Sequence, residues 1–244
     1  MEYKDFKQKC TDIFALNEFL PTPSNEQLDK LWTLTERMLE VNKSLNLTAI
    51  TDIDAIILKH YADSVTISVL IPEGAALADV GCGAGFPSLP LAIFRPDVKI
   101  TALDGTAKRI EYVKSTARLL SLENLSAIAG RAEECGNNAD FRESFDVVTA
   151  RAVAALPILT ELCLPLVKKD GIFIAMKAAQ GEVEATSAAN SIRLCGGSPA
   201  KLTKLTLTAG GENFEQRNLI IVKKSSPTPQ KYPRHYSQIT KKPL

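Results

Sequence analysis

The part of this sequence with the clearest chemical meaning is a set of three glycines at alternate positions, Gly81, Gly83 and Gly85. They interrupt an apolar stretch, LADVGCGAGFPSLPLAI, whose second half has apolar residues at helical spacing. Glycine lacks a β-carbon, so it adopts left-handed backbone conformations and lets other groups approach the main chain. Loops at the carboxyl ends of parallel strands form the ligand crevice of open α/β sheets. The pattern therefore predicts a ligand-binding turn between a strand and a helix.

The spacing of these glycines indicates the kind of ligand. In the dinucleotide fingerprint G-x-G-x-x-G, the glycines let a pyrophosphate approach a helix N-terminus. In this chain the third glycine comes one position early, Phe86 takes its place, and the acidic Asp79 precedes the loop. Such a loop fits a ligand without phosphates, and S-adenosylmethionine is one. The alternative is a turn whose glycines only allow the helix to pack against the strand.

Acidic residues follow the next two predicted strands. Asp104 ends the second strand, where its carboxylate could accept hydrogen bonds from two ribose hydroxyls or cap the helix that starts near Thr106. The segment GRAEE follows the third strand, where an adenine ring would rest, with the backbone of Ala132 and the carboxylate of Glu133 at its edge. The same segment also fits a solvated acidic turn. Together these residues predict a cofactor cleft.

The residues after the fourth predicted strand indicate which kind of group would accept a methyl group from S-adenosylmethionine. Enzymes that methylate an exocyclic amine usually carry [D/N]-P-P-[F/Y] there, whereas this chain has TARA at 149–152. Cytosine-C5 chemistry needs an activated cysteine, but Cys163 lies among apolar residues and Cys82 would face the cofactor. With these two classes set aside, the acceptor that remains is a group that is nucleophilic without activation by the protein, such as ring nitrogen seven of guanine. In-line attack by its lone pair needs alignment and a dry pocket rather than a base.

Arg151 stands at the carboxyl end of the fourth predicted strand. A guanidinium stays protonated, so it is suited to hydrogen-bond a guanine carbonyl, a phosphate or the carboxylate of the cofactor, and not to act as a base. The alternative is a surface arginine. His60, with Asp63 close to it on a predicted helix, could lie over the cleft or fill a structural role. Arg151 is therefore the candidate catalytic residue.

The elements that must position these residues alternate between strands and helices. Short apolar or β-branched runs separated by helical stretches predict a parallel sheet covered on both faces, followed by a terminal antiparallel hairpin. The fold class is α/β, with the Rossmann-like sheet typical of S-adenosylmethionine-dependent methyltransferases, mostly parallel with a C-terminal antiparallel pair, plus an N-terminal helical cap. The predicted strands are Ala76–Gly81, Val98–Asp104, Leu125–Gly130, Phe145–Ala150, Gly171–Lys177, Ala200–Leu207 and Arg217–Lys224.

The chain divides into three predicted segments. Residues 1–72 form the helical N-terminal cap, in which Ser24 and Gln27 predict a capping box and Asp52 begins a third helix. Residues 73–224 form the methyltransferase domain, and residues 225–244 form a basic C-terminal tail. The stretch KKSSPTPQKYP at the start of this tail is predicted to be a disordered linker. Helices of the domain are predicted at Phe86–Phe94, Thr106–Leu122, Leu156–Val167 and Gly181–Leu194.

Charge is distributed unevenly along the chain. From Gln216 to Leu244 there are seven Lys or Arg residues and no acid, which leaves 22 of the 29 basic residues in the remainder, against 28 acidic ones. A basic end on a mildly acidic body indicates a polyanion partner, or a solvated tail without a partner. Tyr232 and Tyr236, between the tail cations, are predicted to stack on unpaired bases. Arg95 and Arg109 are among the basic residues predicted near the cleft.

Composition excludes several classes of protein. No apolar stretch reaches the roughly 20 residues that span a bilayer, and the first residues, MEYKDFKQKC, lack the order of a secretion signal. The five cysteines form no C-x-x-C pair and the chain has two histidines, so neither a disulfide framework nor a metal site is expected. The sequence predicts a cytoplasmic protein without a membrane or metal partner.

Seven segments in order along the chain match a known family: NLTAI, HYADSV, DVGCGAGFPSLPLAI, LDGTAKR, GRAEE, FDVVTARAVA and the terminal PR…KKPL. From about Asn42 to Leu244, the sequence resembles the bacterial methyltransferases of the glucose-inhibited division protein B type, also called small-subunit ribosomal RNA methyltransferase G. It lacks the proline–glycine step that this family carries in its tail. The resemblance implies a monomer that uses S-adenosylmethionine to methylate nitrogen seven of a guanine in a decoding-region loop of 16S ribosomal RNA, free or in the small ribosomal subunit. It also implies cofactor contacts at Gly81, Phe86, Ala132, Glu133 and Arg151.

Three other functions stay open at this point. In a methyltransferase that acts on small molecules, the basic tail would be solvated and would bind no partner. A nicotinamide oxidoreductase needs the phosphate-binding glycine spacing that the loop lacks. A non-catalytic RNA-binding protein would keep the fold and the cofactor without methyl transfer. The complete predicted cofactor site comprises Gly81, Gly83, Phe86, Asp104, Ala132, Glu133 and Arg151.

Overall fold

The computed structural model describes residues 2–178 and 181–244, and its centre is a seven-stranded sheet. The strand order is β3-β2-β1-β4-β5-β7-β6. β1 to β5 are parallel, and β7 pairs antiparallel with both β5 and β6. The strands are β1 (Ala76–Val80), β2 (Lys99–Asp104), β3 (Leu125–Ala129), β4 (Phe145–Arg151), β5 (Val167–Lys177), β6 (Lys201–Gly210) and β7 (Asn213–Lys223).

The strand order determines where a ligand can bind. β2 and β3 lie on one side of β1, and the chain then crosses to the other side of β1 to add β4. Connections leave β1 and β4 in opposite directions, so a crevice opens at the carboxyl ends of these strands. The glycine loop and Arg151 lie at these ends. The predicted fold class, an α/β sheet that is mostly parallel with a C-terminal antiparallel pair and a helical cap, is confirmed.

Helices cover both faces of the sheet. One apolar core joins the N-terminal helices to α5 and α6, and a second core packs α7, α8, α10 and α11 on the other face. The helices are α1 (Tyr3–Ala15), α2 (Asn25–Leu45), α3 (Ile53–Ile56), α4 (Asp63–Val65), α5 (Ser88–Phe94), α6 (Ala107–Leu119), α7 (Ala132–Asn137), α8 (Leu156–Cys163), α9 (Gly181–Ser187), α10 (Ala189–Leu194) and α11 (Tyr236–Lys241).

Local signals start the helices of the N-terminal cap. The predicted capping box is present, because the Gln27 amide donates to Ser24 Oγ at 3.2 Å and the Ser24 amide donates to Gln27 Oε1 at 2.8 Å. Asp52 begins the third helix as predicted. This helix then widens into a π-helical turn at Ile57–Ala62, which the sequence pattern did not predict. Such turns often occur at functional sites, and this one contains His60.

Arg95 lies away from the crevice, contrary to the prediction from the sequence. α5 begins beside the glycine loop and runs away from it, so its last turn reaches the amino ends of the strands. There Arg95 donates to the carbonyl oxygens of Ser68 and Ile71 at 2.6 and 2.9 Å. This arginine therefore stabilises the connection between the cap and β1.

The C-terminal segment packs against the domain, so the predicted disordered linker is wrong. Thr228 and Tyr232 are buried, and Arg142 donates to their carbonyl oxygens at 2.7 and 2.9 Å. The buried ammonium of Lys224 lies 3.1 Å from Glu143 Oε1. The polar, proline-rich composition indicated disorder, but charge-assisted hydrogen bonds from the half-buried guanidinium of Arg142 to these backbone acceptors order the segment.

Candidate functional site

Two adjoining cavities open at the carboxyl ends of β1, β2 and β4. The Asp104 cavity has a volume of about 410 Å³ and lies between the ends of β2 and β3. The Phe86 cavity has a volume of about 230 Å³ and lies under the N-terminal cap. Gly81, Arg109 and Ala152 line both cavities. An elongated ligand would therefore extend from one cavity into the other along the glycine loop.

The three glycines of the loop have different roles. All have positive φ, at 75°, 56° and 84°, a conformation that side chains rarely adopt. A β-carbon on Gly85 would overlap Leu89 of α5, so this glycine allows the helix to pack. A β-carbon on Gly81 would meet Val153, whereas one on Gly83 would meet nothing closer than 3.9 Å among the described atoms. Gly81 and Gly83 thus leave bare backbone facing the Phe86 cavity.

Asp104 is buried and connects β2 to the glycine loop. Its Oδ2 accepts a hydrogen bond from the Gly83 amide at 3.0 Å, and its Oδ1 accepts one from the Thr106 amide at 2.8 Å. The Arg109 guanidinium lies 3.8 Å from the same carboxylate. The N-cap position of α6 belongs to Thr106. Asp104 therefore holds the loop, and each of its oxygens keeps a second lone pair for a ligand.

Asp79 lies behind the loop in a fully buried position. Its Oδ2 accepts hydrogen bonds from the Ser88 amide and hydroxyl at 3.3 and 2.5 Å. Its Oδ1 has no hydrogen-bond partner among the described residues. Burial raises the pKa of this carboxyl to about 6, against the opposing effects of Ser88 and Arg151. A buried acceptor without a partner is costly, and Asp79 lines neither cavity, so what it does here is hold Ser88 at the start of α5.

Ala132 and Glu133 are brought to the Asp104 cavity by α7, a short helix that was not predicted from the sequence. They occupy its first turn, and Glu133 is buried. The Arg131 guanidinium lies 3.9 Å from Glu133 Oε1. A carboxylate in the first turn is favoured there by the helix dipole. The cavity thus has a second buried acid opposite Asp104.

The Phe86 cavity has an aromatic wall. The His60 ring stacks on the Phe86 ring with centroids 4.3 Å apart and an interplanar angle of 7°. His60 Nε2 lies 3.0 Å from Thr48 Oγ1, while Nδ1 has no partner among the described residues. Burial, with a smaller contribution from the charge of Arg151, lowers the pKa of His60 to about 3. This histidine is therefore neutral at physiological pH.

Arg151 completes the Phe86 cavity and is held from two sides. Its guanidinium lies 5.5 Å from the Phe86 ring centroid, and its Nη1 donates to the Lys59 carbonyl and to Asp63 Oδ2, both at 2.8 Å. The other oxygen of the buried Asp63 accepts a hydrogen bond from Arg217 Nε at 2.9 Å. One carboxylate from the cap thus orients two arginines from β4 and β7.

Ala152 follows Arg151 in a left-handed conformation, with φ of 55°. A non-glycine residue in this region is uncommon and is often found at binding sites. The strand ends here, and the backbone turns so that Ala152 and Val153 line the Asp104 cavity.

The structure brings the predicted site residues together. Four of them line the Asp104 cavity, and the other three line the Phe86 cavity. Gly81 lines both cavities. Sequence reasoning missed Arg217, Val153 and Tyr236, because each reaches the site only through the tertiary fold. The predicted residues are Gly81, Asp104, Ala132 and Glu133 in the first cavity, with Gly83, Phe86 and Arg151 in the second.

Neither candidate cysteine is activated. Cys163 is fully buried in the core, and burial raises the pKa of its thiol. Cys82 lines the Phe86 cavity, and burial raises the pKa of its thiol well above the usual value. A nucleophilic cysteine needs a lowered pKa, so the cavity is not built for covalent attack on a base.

The tail cations are less available than the sequence indicated. Tyr232 is buried, which is incompatible with its predicted stacking on bases. Lys231, Lys241 and Lys242 are exposed. Four of the seven basic residues from Gln216 onward instead pair with acids: Arg217 with Asp63, Lys223 with Asp170, Lys224 with Glu143, and Arg234 with Glu161.

Other features of the described chain do not compete with this site. A wider groove of about 710 Å³ lies at the amino ends of β2 and β3, away from the ligand crevice, and is lined by residues such as Gln27 and Asn124. Within residues 2–178 and 181–244, no group of three or more potential ligands is arranged to hold a metal ion. No helix in this part of the chain has the length and apolarity needed to cross a membrane.

Solved structures with the same fold include methyltransferases. TYW2 of M. jannaschii in complex with AdoMet matches with a TM-score of 0.54 and 12% identity, over 68% of this chain and 75% of that chain. A SAM-dependent O-methyltransferase from Thermotoga maritima matches with a TM-score of 0.52 and 14% identity, over 79% of this chain and 72% of that chain. At these identities the likeness concerns the fold.

Sequence comparison is more specific. The family model GidB, described as rRNA small subunit methyltransferase G, matches residues 27–219. Ribosomal RNA small subunit methyltransferase G of Lactobacillus helveticus is 41% identical over 232 residues, covering 93% of this chain and 95% of that protein. The protein of the same name from Staphylococcus carnosus is 43% identical over 235 residues, covering 95% and 97%. The chain therefore belongs to the rRNA small subunit methyltransferase G family.

Proposed function

We propose that this chain transfers a methyl group from S-adenosylmethionine to ring nitrogen seven of a guanine in a decoding-region loop of 16S ribosomal RNA. The observation that carries the proposal is the pair of cavities that meet at Gly81, one lined by buried acids and the other by aromatic rings and an oriented arginine. Membership of the methyltransferase G family supports the reaction class and the ribosomal RNA. The resemblance to the family's motifs supports the guanine nitrogen.

The Asp104 cavity suits the adenosine part of the cofactor. Asp104 and Glu133 supply buried carboxylate acceptors for ribose hydroxyls and for the amino group of adenine. Gly81 and Gly83 leave room for the amino-acid arm beside the loop. When bound, S-adenosylmethionine supplies an electrophilic methyl group on its sulfonium sulfur.

The Phe86 cavity suits the acceptor base. The stacked rings of His60 and Phe86 form an aromatic wall against which a purine can pack. Arg151 offers hydrogen-bond donors for the carbonyl oxygen of guanine. Asp63 partly balances the charge of Arg151, so the arginine does not strongly oppose the positive charge that the methylated base acquires. The π face of Phe86 also favours a nearby cation.

No residue of this site has to remove a proton. Nitrogen seven of guanine carries a lone pair in the ring plane and no hydrogen, so the chain's task is to align the base and to exclude water. The neutral His60, with a pKa of about 3, is too weak a base to take part. The site therefore acts through position, which agrees with the absence of an activated thiol among the described residues.

The experiment combines methyl transfer with mass spectrometry. The purified chain is incubated with methyl-labelled S-adenosylmethionine and either small ribosomal subunits or 16S RNA from cells that lack the modification. We expect a 7-methylguanine in one nuclease fragment and no label on small-molecule acceptors. Label on another atom or only on small molecules would refute the proposal. Binding of S-adenosylhomocysteine without any transfer would instead support a non-catalytic RNA-binding role.

A further inference from the structure

The C-terminal helix α11 contributes a residue to the Asp104 cavity. Tyr236, the first residue of α11, lines this cavity together with Asp104 and Glu133. Its side chain is 37% exposed. Among the described residues around the cavity, it is the one aromatic side chain. A large ring therefore lies partly uncovered at the wall of a cavity that otherwise has small, polar and aliphatic linings.

The position of Tyr236 is imposed by an anchor just before it. The backbone amide and Nε of Arg234 donate to Oε1 of Glu161 at 3.0 and 2.8 Å, and its Nη2 donates to Oε2 at 2.6 Å. Glu161 is fully buried in α8. On the other side of Tyr236, Ile239 is fully buried in the same core. Two fixed points within six residues leave the tyrosine little freedom to lie elsewhere.

The same segment also supports α7, which carries Glu133. Asn137 Nδ2 donates to the Pro233 carbonyl at 3.1 Å. A β-carbon at Gly136 would lie 2.9 Å from Pro233 Cγ, so the tail and α7 are in close contact. The tail thus supports one part of the cavity and supplies another part itself.

We infer that the segment 232–242 is part of the cofactor site, with the Tyr236 ring packing against the adenine base. This inference rests on the proposed function, because it requires adenosine in the Asp104 cavity. Adenine presents a flat π face that a tyrosine ring can cover. The polar edge of adenine then faces Glu133 and the backbone of Ala132. Binding of the cofactor and docking of the tail consequently stabilise each other.

The first test measures ligand affinity by calorimetry in the full chain. Tyr236→Ala is expected to weaken S-adenosylhomocysteine binding about tenfold, since base–aromatic stacking typically contributes about 1–3 kcal/mol. Tyr236→Phe keeps the ring and is expected to bind within about twofold of the parent. Tyr3→Ala is the matched control, because Tyr3 has a similar exposure of 38% and lies in α1, far from the cavity.

A second probe separates the two ends of the cofactor. Methylthioadenosine keeps the adenosine and lacks the amino-acid arm, so Tyr236→Ala is expected to weaken its binding by the same factor. Equal affinity of the alanine variant and the parent for both probes would overturn the inference while leaving the proposed function intact. Failure of the parent chain itself to bind S-adenosylhomocysteine would overturn both.

The coupling has its own readout, which does not depend on a measured ligand affinity. Hydrogen exchange of the amides in 232–242 is expected to slow when S-adenosylhomocysteine is added to the parent chain, and to slow much less in Tyr236→Ala. The amide of Ile239, which donates to the His235 carbonyl at 3.2 Å, is a suitable reporter. Unchanged exchange of the tail on saturation with the ligand would overturn the coupling.

Discussion

The Asp104 cavity is assembled mainly from loops that follow strands of the sheet, with Tyr236 added from α11, whereas the Phe86 cavity depends on contacts between distant parts of the chain. Asp104 directly ends β2. In the second cavity, Asp63 contacts Arg151 across a separation of 88 residues and Arg217 across 154. The comparison indicates that the parallel sheet positions most of the residues on the cofactor side. The acceptor side depends on how the helical cap docks onto it.

The two cavities also differ in how their charges are satisfied. In the Asp104 cavity, the buried carboxylate of Asp104 accepts two backbone amides and keeps a second lone pair on each oxygen. In the Phe86 cavity, the buried carboxylate of Asp63 is already occupied by two arginines. The Asp104 cavity can therefore bind hydrogen-bond donors of a ligand. In the Phe86 cavity, the carboxylate instead orients hydrogen-bond donors of the protein, the two arginines. Substitutions in the two cavities should therefore have separable effects.

The largest effect is expected from Asp63→Asn. Removing one member of a buried ion pair typically costs about 3–5 kcal/mol, because the partner charges stay behind, and this change leaves Arg151 and Arg217 without their shared carboxylate. We expect a loss of about 3 kcal/mol in chemical unfolding, and loss of methyl transfer. Affinity for S-adenosylhomocysteine should stay within about threefold of the parent.

Glu215→Gln is the matched control for this change. Glu215 also pairs with Arg217, but it is partly exposed, so its loss should cost less than about 1 kcal/mol. If Asp63→Asn weakened cofactor binding more strongly than it slowed transfer, the division between the two cavities would be incorrect.

Asp104→Ala tests the other cavity. A charge-assisted hydrogen bond contributes about 1.5–3 kcal/mol, so losing two of them to a ribose, together with the anchor of the Gly83 amide, is expected to weaken S-adenosylhomocysteine binding about 100-fold. Calorimetry measures this directly. Asp104→Asn keeps one carbonyl oxygen and should fall between the parent and the alanine variant. If Asp104→Ala left the affinity for S-adenosylhomocysteine unchanged but weakened RNA binding, the Asp104 cavity would hold the acceptor base and the Phe86 cavity the cofactor.

The pH dependence of stability should reveal the buried histidine of the Phe86 cavity. The pKa of His60 is lowered to about 3 in the folded chain, so the unfolded chain binds more protons between pH 6.5 and pH 3. The stability that depends on neutral His60 is complete above pH 6.5 and is lost as the pH falls, by roughly 3 kcal/mol between pH 6.5 and pH 4.

The measurement compares unfolding free energies of the parent and His60→Gln across this range. The difference between them should shift in favour of the variant as the pH falls. Asp79, with a pKa raised to about 6, contributes in the opposite direction but is common to both proteins. A difference that does not change with pH would mean that the pKa of His60 is the same in the folded and unfolded chains, and a shift in favour of the parent as the pH falls would mean that folding raises this pKa.

The smallest effect is expected from the exposed tail lysines. Lys241 and Lys242 lie outside both cavities and are exposed. Replacing both by alanine should reduce the slope of log affinity for RNA against log salt by about 0.7–0.9 for each phosphate that these lysines neutralise. Filter binding at several salt concentrations measures the slope. Affinity for S-adenosylhomocysteine should not change; an unchanged RNA slope would exclude these lysines from the RNA interface.

Much of the fold could be predicted because its signals are local. The alternating strands and helices, the capping box at Ser24 and the glycine loop each depend on a few neighbouring residues, and each is present in the structure. Asp104 could also be placed, because the carboxyl ends of parallel strands share one edge of the sheet. These predictions needed no knowledge of distant contacts.

The errors occurred where distant contacts override local composition. Arg95 was predicted to lie near the cleft, but α5 carries it to the amino ends of the strands, where it binds Ser68 and Ile71. The stretch KKSSPTPQKYP was expected to be disordered because of its composition, but Arg142 of the body binds the carbonyl oxygens of Thr228 and Tyr232 within it. Tyr236 could not be placed without that docking. Burial and pairing of charges between remote segments have no signature in a single short window.

The place of β7 inside the sheet has a consequence for synthesis and for truncation. β7 lies between β5 and β6, although it is the last strand made. Until it is added, the long edge of β5 stays open, and open edges favour aggregation. A premature stop codon shortly after Lys177 would therefore remove an interior strand and leave an aggregation-prone fragment. The seven-stranded sheet should be complete only after the residues of β7, Asn213–Lys223, have left the ribosome.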